Sequence, residues 1–177
     1  MQLVMFSGNS LRNRDWVYET KEQFADLFDS FYVQRYRHWD LGTDWIDLPH
    51  ELQILRQQQT SFRPGYGVFA KSIGTVLAVQ AIGQQIIKPE WLLFCGLPLD
   101  YTLEEFPQFA AVLAKCGLPV VFVHNQHDPV GDAAAAKAYL NPKLANTKNW
   151  QFIETPGDTH DYEDYDLLRA QLKELRG

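Results

Sequence analysis

The chain has 177 residues, 46% of them hydrophobic and 14% aromatic, which suits one domain with a substantial core and excludes a disordered chain. Its formal net charge is −6, which argues against a nucleic-acid partner, since that partner calls for a basic face. Cys95 and Cys116 show neither metal-ligand nor disulfide-framework spacing and read as buried thiols of a reducing compartment.

Met1 leads straight into Gln2-Leu3-Val4-Met5-Phe6, a segment too short and too poor in basic residues for a secretory leader. No run of about 18 apolar residues follows. A cytoplasmic protein without membrane association is expected. Leu3–Phe6, closed by Ser7-Gly8-Asn9-Ser10, has the pattern of a buried strand. From Asp15 to Asp29, Trp16, Phe24, Leu27 and Phe28 fall mainly at helical spacings. Phe31–Tyr36 reads as a second strand and Arg37–Thr43 as an ordinary connection. A helix is predicted over Asp47–Gln59 with Asp47 as N-cap. A third strand, Tyr66–Ala70, runs into a helix over Ile73–Ile82 that Gly83 stops. Trp91–Cys95, Pro119–His124 and Trp150–Glu154 read as the remaining strands. Helices follow them over Leu103–Cys116, Asp132–Leu140 and Tyr162–Leu175, the second ended by Asn141-Pro142. Six strands alternating with six helices predict an α/β fold, a doubly wound parallel sheet in a three-layer sandwich. Without repeats or linkers, residues 1–177 read as one domain.

In an open parallel sheet, ligands bind beyond the carboxyl ends of the strands. Ser72 stands there with almost no loop between strand and helix. Such a corner needs small neighbours, which Ala70 and Gly74 supply, and it pushes the serine out above the helix N-terminus. The amide of Ile73 faces the same space and can stabilise an oxyanion. On the local segment alone, Ser72 reads equally well as a helix cap.

The segment Ala70-Lys71-Ser72-Ile73-Gly74 resembles the nucleophile elbow Gly-x-Ser-x-Gly of the α/β-hydrolase superfamily, with alanine at the first glycine. His127-Asp128-Pro129-Val130 after the fifth strand resembles that family's acid turn, and Gly157-Asp158-Thr159-His160 after the sixth resembles its histidine loop. Serine, acid and histidine stand in the family's order. The resemblance spans the chain and implies a minimal α/β-hydrolase fold with a Ser72–His160–Asp128 triad. Asp100, after the fourth strand, is the rival acid, and Asp158 is expected to shape its loop. Ser7-Gly8-Asn9 followed by Trp16 resembles the family's oxyanion loop, with Ser7 in place of the usual histidine. It implies the backbone amide of Asn9 as a donor beside that of Ile73. Gly8, Trp16, Lys71, Leu97 and Tyr101 are expected around the substrate pocket, with Lys71 as a solvated or gating side chain.

Two other motifs compete with this reading. Gly65 to Ser72 is close to a phosphate loop, but its strand would lie inside the motif instead of before it. His124 and His127 beside Asp128 straddle a strand end and find no third ligand at convincing spacing; no metal or other cofactor is expected. His38 and His50 read as surface residues. Only Gly96 to Thr102 separates the fourth strand from the next helix, so no cap domain and an open site are expected. An open site suits a small carboxylic ester or thioester as substrate. A catalytically silent protein of the same fold and a small peptidase or amidase are the alternatives, and the oligomeric state is left undetermined.

Overall fold

The computed structural model describes residues 1–43, 45–145, 147 and 149–177. Six strands, β1 (Gln2–Phe6), β2 (Ser30–Val33), β3 (Tyr66–Lys71), β4 (Leu92–Cys95), β5 (Val120–Asn125) and β6 (Trp150–Thr155), form one sheet in the order β2-β1-β3-β4-β5-β6. Every pairing is parallel, in a register that runs Val4–Val68–Leu92–Val120–Trp150 across the sheet. The four inner strands are buried along their whole length, whereas edge strands β2 and β6 are only partly so. The burial explains why the middles of the inner strands are apolar and their polar residues, Gln2, Lys71, His124 and Asn125, stand at strand ends: both faces are covered, so there is no alternating polar face.

Eight helices accompany the strands among the described residues: α1 (Leu11–Gln23), α2 (Arg37–Leu41), α3 (Leu48–Gln58), α4 (Ile73–Gly83), α5 (Leu99–Glu105), α6 (Phe109–Cys116), α7 (Ala133–Leu144) and α8 (Tyr165–Arg176). The chain leaves β1 toward β2, then returns past β1 to β3 and runs the other way. With right-handed crossovers this reversal sends helices to opposite faces. On one face, Trp16 of α1 and Phe24 at its C-cap pack on Phe69 of β3, and Phe24 meets Tyr165 of α8 edge-on. On the other, α3, α4, α6 and α7 lie side by side.

The elements depart from the sequence expectations where polar or imino chemistry intervenes. Helix α1 starts at Leu11 because Ser10 caps it, accepting a hydrogen bond from the Asn13 amide. The expected second strand stops at Val33, and Tyr36 leaves the sheet to hydrogen-bond Ser7. The expected plain connection after it contains α2. The expected helix Leu103–Cys116 is two helices, α5 and α6, broken around Pro107, which has no N–H to donate. Helix α7 runs on through Pro142, which sits in its last turn and forfeits a single backbone bond. Helix α8 starts at Tyr165, three residues late, because Tyr162 is buried with its hydroxyl bonded to the Asn125 amide and Asp128. Among the described residues no helix is long and apolar enough to cross a membrane.

Candidate active site

Ser72 occupies the corner between β3 and α4 with φ 54° and ψ −129°. This backbone region is strained for any residue with a Cβ, and strain of this kind persists only where the surroundings enforce it. The enforcement is visible on both sides. The Ser72 amide donates to the Cys95 carbonyl at 2.9 Å, extending the β3–β4 ladder into the corner. Helix α4 then passes so close over β1 that a Cβ on Gly74 would lie 2.7 Å from the Phe6 and Ser7 backbone. Ser72 makes no side-chain cap bond to its helix, so its conformation is not that of an ordinary N-cap. As the first residue of α4, Ile73 has no intrahelical acceptor for its N–H.

A cavity of about 510 Å³ opens above this corner and is lined by Ser72, Ile73, Asn9, Tyr101, Asp100 and His160, among others. His160 enters from the loop after β6. Its Nδ1 lies 2.9 and 2.7 Å from the two carboxylate oxygens of Asp128, which follows β5. An ionised carboxylate only accepts, so Nδ1 carries a proton, which in the neutral imidazole leaves the lone pair on Nε2. That Nε2 is buried and makes no hydrogen bond in this structure. The step from His160 to Ser72 is therefore open here, while the step from His160 to Asp128 is closed.

Asp128 is 3% exposed. Burial opposes its charge, but hydrogen bonds from His160 and Tyr162 outweigh burial and hold its carboxyl below the ordinary aspartate value. The Tyr162 hydroxyl donates to Asp128 Oδ2 at 2.5 Å, and burial together with that carboxylate drives the hydroxyl far above its usual range. The Val130 amide donates to Asp128 Oδ1 at 2.8 Å. The histidine loop itself is clamped by Asn125. Its Nδ2 donates to the carbonyls of Thr159 and Asp161 at 2.9 Å each, and its Oδ1 accepts from Thr155.

The loop after β1 is equally determined. The Ser7 hydroxyl donates to the Asn13 carbonyl at 2.6 Å, and Tyr36 bonds both the amide and the carbonyl of Ser7. The Asn9 carbonyl is met by His38 Nε2 and Trp39 Nε1, and its side chain accepts from the Ile46 amide. Thus the expected surface residue His38 is buried beneath this loop. Tyr36, His38, Trp39 and Asn125 were missed in the sequence because each acts on a backbone far away in the chain.

The structure brings Ser72, Ile73, Asn9 and Tyr101 to one cavity, with Asp128 behind His160. Four expected pocket residues lie elsewhere. Gly8, Trp16, Lys71 and Leu97 do not line it. Trp16 is stacked in the core on Phe69, and Leu97 is fully buried. Gly8 is packed against the Asn13 side chain. Lys71 is neither solvated nor gating: it is 2% exposed, because two residues along a strand share one face and Phe69 already faces α1. Asp100 lines the cavity, but it is Asp128 that His160 bonds. Asp158 is exposed.

The phosphate-loop resemblance dissolves in the same geometry, since β3 runs inside the motif. Of the two candidate metal-binding histidines, His124 is buried and His127 is exposed beside Asp132. Among the described residues no group of three or more His, Cys, Asp or Glu could hold a metal.

No family model matches the chain, and no curated protein matches it. Solved structures do. An uncharacterised protein from Bacillus cereus superimposes with a TM-score of 0.79 at 17% identity, over 98% of this chain. This chain spans only 58% of that protein's length. Mouse alpha/beta hydrolase domain-containing protein 10 matches with a TM-score of 0.69 at 14% identity, over 98% of this chain and 88% of its own. Acyl-protein thioesterase 2 from Zea mays gives 0.62 at 15% identity, over 99% and 94%. The chain has the α/β-hydrolase fold. In an α/β-hydrolase fold the corner after β3 and the loops after β1, β5 and β6 converge at the carboxyl edge of the sheet, where the cavity lies.

Proposed function

We propose that the protein is a serine hydrolase that cleaves a carboxylic ester or thioester through an acyl-enzyme on Ser72. The observation that carries this reading is the strained Ser72 corner sharing one cavity with a His160 whose Nδ1 is fixed by Asp128. In the reaction, Ser72 Oγ attacks the carbonyl carbon while His160 Nε2 takes its proton. The amides of Ile73 and Asn9 stabilise the oxyanion of the tetrahedral intermediate. His160 returns the proton to the departing alcohol or thiol. Water then repeats the sequence against the acyl-enzyme and frees Ser72. Asp128 holds the imidazole in the required tautomer throughout.

The cavity adds to this reading. Trp45, Ile46, Pro98, Tyr101, Pro129 and Val130 give it apolar walls, suited to an acyl group or an uncharged alcohol. The name of the Zea mays neighbour is consistent with thioester chemistry. A fluorophosphonate probe tests the proposal: the wild type should label at one site, and Ser72→Ala should not. A wild type that resists the probe and turns over no activated ester would reject it.

A further inference from the structure

Lys71 is the charged residue of the elbow, the proposed chemistry does not use it, and its burial is unusual for a lysine. Its ammonium has left water at a cost: burial lowers its pKa, and the charge of Asp161 only partly opposes this. The compensation comes from α1. Lys71 Nζ donates to Asn13 Oδ1 at 2.6 Å and lies 4.7 Å above the Trp16 ring.

An ammonium can only donate. It therefore fixes which way the Asn13 amide points. With Oδ1 turned to Lys71, Nδ2 is directed to Ser10 Oγ at 2.9 Å. The Asn13 carbonyl receives the Ser7 hydroxyl. Gly8 presses so close that a Cβ on it would sit 2.6 Å from the Asn13 amide group. Asn13 thus touches Ser7, Gly8 and Ser10, the residues that flank Asn9, and Lys71 ties Asn13 to the peptide that carries Ser72.

We propose that Lys71 is a positioning residue that, through Asn13, sets the Ser7–Ser10 loop at a fixed place relative to Ser72. For its kinetic consequence the proposal rests on the hydrolase reading. An uncharged side chain of similar length would fill the space and leave the loop free to shift. That shift harms the transition state, where the oxyanion must meet its donors, more than it harms substrate binding.

The test uses Lys71→Met, Asn13→Ala and the double variant. Amide hydrogen exchange at Ser7 and Asn13, whose N–H groups donate to the Tyr36 hydroxyl and the Ser10 carbonyl, should quicken at least tenfold in Lys71→Met while β4 keeps wild-type protection. With an activated ester, kcat should fall about tenfold or more with KM within twofold. The double variant should be no slower than Asn13→Ala, because both changes cut one link. Unchanged exchange in Lys71→Met, a loss confined to KM, or losses that multiply in the double variant would each overturn the proposal. Should Lys71→Met fail to fold, Asn13→Ala carries both measurements, since alanine favours its helical position and wild-type exchange with wild-type kcat rejects the link. A wild type that hydrolyses no ester would reject the hydrolase reading, and the exchange measurement would then decide the role of Lys71 by itself.

Discussion

The native states of Ser72 and Asp128 are each costly to maintain. A serine at φ 54° stores roughly 1–3 kcal/mol of backbone strain, and Asp128 is a carboxylate almost without solvent. Tyr162 is what makes the second tolerable. Tyr162→Phe removes a buried hydrogen bond to a charged group, so a loss of about 1.5–3 kcal/mol is expected in urea titrations, together with slower probe labelling. The sign of the pH effect follows from Asp128. Its folded carboxyl is held below the ordinary 3.8, so the stability it contributes is complete above that value. It is lost as pH falls through the lower folded value. Wild type should therefore lose stability below about pH 4 more steeply than Asp128→Asn. Parallel acid-stability curves would contradict this. Asp128→Asn should also slow labelling by about 10³–10⁴-fold, because His160 then loses the acceptor that fixes its tautomer.

Two glycines show how elements, as distinct from single side chains, shape the site. Gly74 opens α4, and what a Cβ would strike there is the backbone at the end of β1, which cannot step aside. Gly74→Ala should cost about 1–3 kcal/mol in unfolding free energy as the helix is pushed from the sheet. Gly96 follows β4 with φ +59°, and a Cβ on it would strike the Tyr162 ring at 2.6 Å and His160 Cε1 at 2.8 Å. Both side chains are held by Asp128, and the positive φ adds backbone strain of its own. Gly96→Ala should therefore lower the melting temperature and also slow labelling of Ser72, because it displaces His160 as well as straining the turn. Equal labelling by wild type and Gly96→Ala would show that the β4 turn does not position His160. The break at Pro107 acts at the same scale: by ending α5 early it leaves Asp100 and Tyr101 in a short helix at the cavity rim.

Across the whole molecule, the strand order makes the site. The reversal between β1 and β3 leaves a crevice at the carboxyl edge, and the loops after β1, β3, β5 and β6 reach it from both sides. Cys95 lies in the middle of that sheet, fully buried, with its thiol pushed far up by burial. Its alkylation should therefore report global unfolding. Under native conditions iodoacetamide should spare Cys95 and modify half-buried Cys116 first, and the Cys95 adduct should rise with urea in step with loss of ellipticity. Rapid native modification of Cys95 would mean that β4 opens locally.

The sequence by itself determined the sheet, the number of strands and the three residues after β3, β5 and β6, because buried parallel strands write themselves as apolar runs and the loops between them are short. It also carried the small neighbours of Ser72, since a corner without a loop tolerates nothing larger. Only the tertiary structure decided which carboxylate His160 bonds, because Asp128 and Asp100 both follow a strand and no local pattern separates them. It also decided where Lys71 points. A strand residue faces one layer or the other, and no local pattern distinguishes a lysine reaching for solvent from one held by an asparagine 58 positions earlier in the chain. The loop after β1 is the same case: Tyr36, His38 and Trp39 come from β2's side of the fold, and a hydrogen bond to a distant backbone leaves no periodicity behind.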